Sequence, residues 1–238
     1  MTEVSAPVLA LAALLLGADH VAGQATTPPP AATTPPAQTA GVATKAPAQA
    51  TEVATKKWEF SASAYTYFVP DTEDSNDYVQ PTVTADRGWL HLEARYNYEA
   101  IEAGSAWFGV NFGGGKNVTW TFVPMIGGVF GSAKGVAPGY KGSLGWRKLE
   151  LYSEGEWVFD AEDLASSFFY NWSELTYAPV EWFWFGVVTQ RTRVYQTERD
   201  IQRGLLVGVS YKRLEVVGHV FNPDDSRPIV VLSARVTF

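Results

Sequence analysis

The chain closes on Ile229-Val-Val-Leu-Ser-Ala-Arg-Val-Thr-Phe238, and every second position of that stretch is apolar: Val230, Leu232, Ala234, Val236 and Phe238. Between them lie Val231, Ser233, Arg235 and Thr237, three of the four polar. Strict alternation puts the two sets on opposite faces of a β-strand. A strand with one face to lipid and one to a polar interior has this pattern. A half-buried strand of a soluble sandwich has it too, so the rest of the chain decides.

Working upstream, turn chemistry divides residues 57–238 into twelve alternating segments: 57–69, 78–86, 89–98, 104–113, 117–129, 136–146, 149–159, 167–177, 181–195, 201–211, 214–221 and 228–238. In the third, Leu90, Leu92, Ala94, Tyr96 and Tyr98 alternate with Trp89, His91, Glu93, Arg95 and Asn97. The second, fifth and tenth alternate as cleanly. The eighth and ninth do not declare their faces, because Glu181-Trp-Phe-Trp-Phe185 carries aromatics at both parities. A bulge near Glu174 is one way to reconcile them.

Connection lengths alternate as well. Five are tight: Asp86–Gly88, Gly114–Lys116, Arg147-Lys148, Ala178-Pro179 and Lys212-Arg213. The others are longer, except that 131–135 does not declare its length. An even number of strands, short turns at one end and longer loops at the other predict a closed antiparallel up-and-down transmembrane β-barrel. Twelve strands fit best, with ten or fourteen as alternatives. Closure removes the exposed edges that lipid does not tolerate.

Composition agrees. Aromatics make up 14% of the chain, with nine Trp and eleven Tyr, as expected where rings gather at two membrane interfaces. There is no Cys, which excludes disulfides and thiolate metal sites. The net charge of -7 argues against a nucleic-acid partner. No apolar run reaches the ~18 residues of a transmembrane helix. Residues 6–18 form an apolar run followed by Gly23-Gln-Ala25, which predicts a signal peptide over 1–25, although no Lys or Arg precedes the run. Residues 26–56, rich in Pro, Ala and Thr, predict a disordered periplasmic linker.

The terminal strand with its final aromatic resembles the C-terminal signature of bacterial outer-membrane β-barrel proteins, and the architecture resembles their small porin-like class. The resemblance implies a Gram-negative outer-membrane location, contact with membrane lipid and lipopolysaccharide, and recognition of Phe238 by the barrel-assembly machinery. Neither a cofactor nor a catalytic residue is expected, and the oligomeric state stays open.

Pairing the strands across their tight turns places charges inside. Gly145 falls opposite Glu150, Lys141 opposite Glu154, and Glu215 near Arg235. With Glu59, Asp86, His91, Glu93, Arg95 and Glu156, and with Arg147 at its turn, the interior carries both signs. Trp89, Trp107, Tyr65, Tyr67 and Tyr152 are also placed there. Two readings stay open: a charge-lined passage for small polar solutes, or a paired-ion network filling a narrow lumen in a structural or surface-binding barrel. The outer loops are acidic, through Asp71, Glu73, Asp74, Asp77, Asp160, Glu162, Asp163, Asp224 and Asp225, with Glu99 and Glu102 assigned there too. Divalent cations could bind them, but the spacing lacks the Gly and distal Glu of an EF-hand, and a solvated surface accounts for them. A lipid-modifying enzyme is a third reading, yet neither His91 nor His219 has a Ser two residues away. Gly113–Lys116 lacks the spacing and helix of a phosphate loop.

Overall fold

A computed structural model of the chain describes residues 57–68, 77–194 and 200–238. The leader and linker expected over 1–56, and the loop residues Asp71, Glu73 and Asp74, lie outside the described residues.

Thirteen strands run in chain order: β1 (Glu59–Phe68), β2 (Tyr78–Arg87), β3 (Leu90–Tyr96), β4 (Ala103–Val110), β5 (Phe112–Gly114), β6 (Val118–Gly131), β7 (Gly135–Trp146), β8 (Leu149–Asp160), β9 (Phe168–Val180), β10 (Phe183–Val194), β11 (Asp200–Tyr211), β12 (Leu214–Phe221) and β13 (Ile229–Thr237). Each pairs antiparallel with its neighbours, β1 pairs with β13, and β4 and β5 both pair with β6. The ring is therefore closed. β4 and β5 are one stave interrupted at Asn111, whose amide donates instead to Trp89 O (2.7 Å). Twelve staves result.

Alternation sets the two surfaces. Val79, Val83, Leu92, Phe108, Phe122, Ile126, Leu205, Val207 and Leu232 all face outward and exposed. An exterior so apolar on these staves suits hydrocarbon, interrupted by a polar cluster of Tyr140, Ser153, Asn171 and Ser173 on β7–β9, and closure leaves no strand edge unpaired. Where rings fill the interior, the facing wall carries glycine. A Cβ on Gly127 would stand 2.4 Å from the Trp107 ring, and one on Gly208 would stand 2.1 Å from the Trp184 ring.

Short turns and both strand termini share one end. Gly88, Arg147 and Lys212 each take φ near +60° at the first position of a two-residue turn, which such hairpins require. The registers Gly145↔Glu150, Lys141↔Glu154 and Glu215↔Arg235 are those expected from the turns. Phe238 lies outward at this rim, with its amide donating to Phe60 O (2.8 Å).

Several expectations are corrected. The β9–β10 turn is Glu181-Trp182, not Ala178-Pro179, since Val180 pairs with Phe183. The irregularity lies opposite Phe183–Phe185, where Pro179 has no N–H to give the ladder, and Glu174 keeps unbroken register on both sides. Trp184 alone of the 182–185 aromatics is buried inward. Trp89 sits in a turn and is exposed, because alternation ends with the strand. Arg147 is likewise exposed in its turn, against the outward Trp146 ring at 4.9 Å. The β6–β7 connection at the loop end is short, only residues 132–134.

Candidate functional site

The interior at mid-height is built first by β3, whose alternate residues His91, Glu93 and Arg95 form one inward column. β7 adds Lys141, and β8 adds Tyr152, Glu154 and Glu156. Arg95 Nη1 donates to Glu156 Oε2 (2.8 Å), Arg95 Nε donates to Glu93, and Glu99 lies 3.7 Å away. Its guanidinium also stacks between Tyr98 (4.1 Å) and Trp107 (4.4 Å). Lys141 bonds Glu93 and lies 3.8 Å from Glu154. Glu154 accepts from Tyr98 Oη and Tyr152 Oη, both at 2.6 Å. His91 bridges Asp86 (2.8 Å) and Glu93 (3.1 Å). Charges this deep persist only when paired and hydrogen-bonded, as these are.

Alternation puts Tyr98 on the lipid face and the turn chemistry puts Glu99 in an outer loop, but both are buried inside. The cause is Asn97, with φ 56°, a left-handed conformation that breaks the alternation and turns the chain inward. The β3–β4 connection is tied down around it. Asn97 Nδ2 donates to Val79 O (3.0 Å), and Asn97 Oδ1 accepts from Glu102 N (2.8 Å). Glu99 then accepts from Ser105 Oγ (2.6 Å) and Trp107 Nε1 (3.3 Å). Burial pushes its carboxyl up from the ordinary carboxylate value, and the Arg95 charge pulls the other way.

On the opposite wall, Glu174 of β9 accepts from Trp172 Nε1 (2.9 Å) and contacts His219 Nε2 (3.1 Å). Trp172 packs edge-on against His219 and Phe221. The sequence does not single out Trp172 and Glu174, because segment 167–177 does not declare its faces. The alternating series Phe168, Tyr170, Trp172, Glu174 and Thr176, all inward, was the signal for them.

The structure thus joins Asp86, His91, Glu93, Arg95, Lys141, Glu154 and Glu156 in one network. Glu215 and Arg235 face each other on β12 and β13, nearer the short-turn end. Glu150 lines a cavity of about 660 Å³ at that end, with Lys116, Arg147, Lys148 and Trp184. Glu59 stands exposed at the mouth of a second cavity of about 230 Å³, whose floor includes Asp86, His91, Lys141 and Arg235. The barrel is open from below as far as the ionic belt. Above it the inward side chains Tyr67, Tyr170, Trp172 and Phe221 are almost fully buried.

At the loop end the acidic residues serve mainly as turn formers. Asp160 Oδ1 accepts from the Glu162 and Asp163 amides, both at 2.8 Å. Glu162 pairs with Lys134 (2.6 Å) and raises its ammonium pKa. Asp224 meets Arg203 (3.2 Å), Asp225 Oδ1 accepts from Ser226 N (2.8 Å), and Asp77 is exposed. Among the described residues, no group of three or more His, Asp or Glu could hold a metal ion.

The barrel is similar to that of a KdgM porin. The TM-score is 0.56 at 11% identity, over 75% of this chain and 99% of that one. A KdgM porin in complex with disordered oligogalacturonate matches at the same TM-score and coverage with 10% identity. No family model matches the sequence, and no curated protein does. The likeness is one of fold.

Proposed function

We propose that the chain is an outer-membrane barrel of porin type, giving passive passage to small polar or charged solutes through its interior. The observation that carries this is the pairing of an apolar exterior with a charged interior that opens into cavities at the short-turn end. The likeness to porins supports it. In this reading residues 1–25 direct export and 26–56 form a periplasmic tether. The acidic loop end meets lipopolysaccharide, and Phe238 is read during assembly. The lumen residues Glu59, Asp86, His91, Glu93, Arg95, Lys141, Glu150, Glu154, Glu156, Glu215 and Arg235 line the path. The reading is non-enzymatic: His91 and His219 are both engaged by carboxylates, which gives each a positioning role.

A second reading, a non-conducting structural barrel, is favoured by the depth of burial around Arg95. Purified protein in planar bilayers separates the two. Stepwise conductance supports the conduit, and a silent bilayer at high protein-to-lipid ratio supports the structural barrel.

A further inference from the structure

The sign of the interior charge bears on which solutes could pass. Apart from Glu150, which shares its rim cavity with Lys116, Arg147 and Lys148, the described side chains facing inward include seven carboxylates: Asp86, Glu93, Glu99, Glu154, Glu156, Glu174 and Glu215. Only three basic side chains, Arg95, Lys141 and Arg235, face them, with His91 and His219. Counted formally and with the histidines neutral, the surplus is negative. The cations of the short-turn rim do not offset it at mid-height. Arg87 and Lys212 lie over Trp58 and Tyr211, whose rings belong to the outward parity of their strands, and Lys116, Arg147 and Lys148 stay at the rim cavity with Glu150.

A second, independent feature points to a polar ligand, whose sign the surrounding charge then sets. The hydroxyls of Tyr65 and Tyr170, both at most 2% exposed, have no hydrogen-bond partner among the described residues. Tyr170 stands opposite Glu156 across β8 and β9, and its ring lies 5.9 Å from that of Tyr98, whose hydroxyl donates to Glu154. Each hydroxyl oxygen offers lone pairs to a donor. Arg95 displays the chemistry this interior provides: a guanidinium clasped by carboxylates and sandwiched between two rings. Carboxylates, open hydroxyl acceptors and aromatic faces together recognise ammonium and guanidinium groups.

Resting on the conduit reading, we infer that the barrel selects cations, and that its solutes are small molecules bearing ammonium or guanidinium groups. An anionic sugar acid, such as the oligogalacturonate named with the similar porin, meets the wrong sign here.

The test is the zero-current potential of the full-length protein in a planar bilayer under a potassium chloride gradient. A surplus of fixed charge in a narrow low-dielectric passage concentrates counter-ions at least about tenfold, so a potassium-to-chloride permeability ratio of about 3 or more is expected. Lys141→Gln removes a positive group and should raise the ratio, whereas Glu154→Gln should lower it. Circular dichroism confirms that each variant has folded, and if one does not fold the other still reads the direction. In liposome swelling, arginine hydrochloride should enter faster than sodium glucuronate. A ratio at or below one, or variants that leave the ratio unmoved or shift it in the reversed directions, overturns the cation reading while leaving the conduit intact. Absence of any current overturns the conduit, and the selectivity with it.

Discussion

Two arginines in this barrel make the same local contact in opposite surroundings. Arg95, at mid-height, stacks on Tyr98 and Trp107 and is held by Glu93, Glu99 and Glu156, all buried. Arg147, at the short-turn rim, stacks on Trp146 in the open, and among the described residues it has no ion-pair partner. The cation–ring contact alone is worth about 0.5–1 kcal/mol when exposed and about 2 or more when desolvated. What separates the two sites is the company of carboxylates. Around Arg95 three of them share one guanidinium, while around Arg147 none does. The middle of the lumen is specified by side chains, and the rim by turn geometry.

The largest effect that would break this contrast is at Arg95. Arg95→Ala strands Glu93, Glu99 and Glu156 without their shared partner, and removing one member of a buried ionic group costs about 3–5 kcal/mol. Urea unfolding in detergent, followed by Trp fluorescence, should show a midpoint shift of that size. If Arg95→Ala unfolds like the parent, the belt contributes nothing and the comparison fails. Next in size is a pair of neighbouring glycines on β6. Gly127→Leu drives a side chain into the Trp107 ring, at an overpacking cost of about 1–3 kcal/mol and with a change in Trp emission. Gly128→Leu, one residue along, points outward with no atom within 4 Å of its Cβ and should be close to neutral. Equal effects at the two positions would mean that the inward and outward parities of β6 are misplaced.

The same division explains what could be read in the sequence. Within a strand, parity carries forward residue by residue, so the registers of Lys141 with Glu154 and Glu215 with Arg235 followed from turn position alone. Parity stops where the strand stops. Trp89 and Arg147, counted inward by extension, belong to turns; Tyr98 and Glu99, counted outward or into a loop, are swung inside by the left-handed Asn97. Nothing in period-2 alternation reports such a reversal, although an Asn at a strand end is the residue type that tolerates it. Glu174 was obscured differently, because the aromatics at 182–185 occupy both parities and one face had to be chosen by packing. Trp184 is the one that turns inward, over Gly208.

At the rim, Arg147→Ala should cost no more than about 1 kcal/mol, the exposed cation–ring term and little else. Measured against Arg95→Ala in the same urea series, it sets the scale of the difference. A loss at Arg147 approaching that at Arg95 would show that the rim is as tightly specified as the belt.

The smallest effect on the folded barrel is expected at Phe238, and it sharpens the comparison most. Its ring is 63% exposed, and its backbone adds a single hydrogen bond, to Phe60 O, at the seam between β1 and β13. Deleting it from purified, refolded protein should change stability by about 0.5 kcal/mol or less, as for surface changes away from buried features. In cells the proposed role in assembly predicts the reverse order: the shortened chain should yield far less heat-modifiable barrel in the outer-membrane fraction than Arg147→Ala does. A rim residue would then matter for how the barrel is inserted while mattering little for how it stands. Equal yields for the shortened and full chains would remove Phe238 from assembly and leave it as one more interfacial ring.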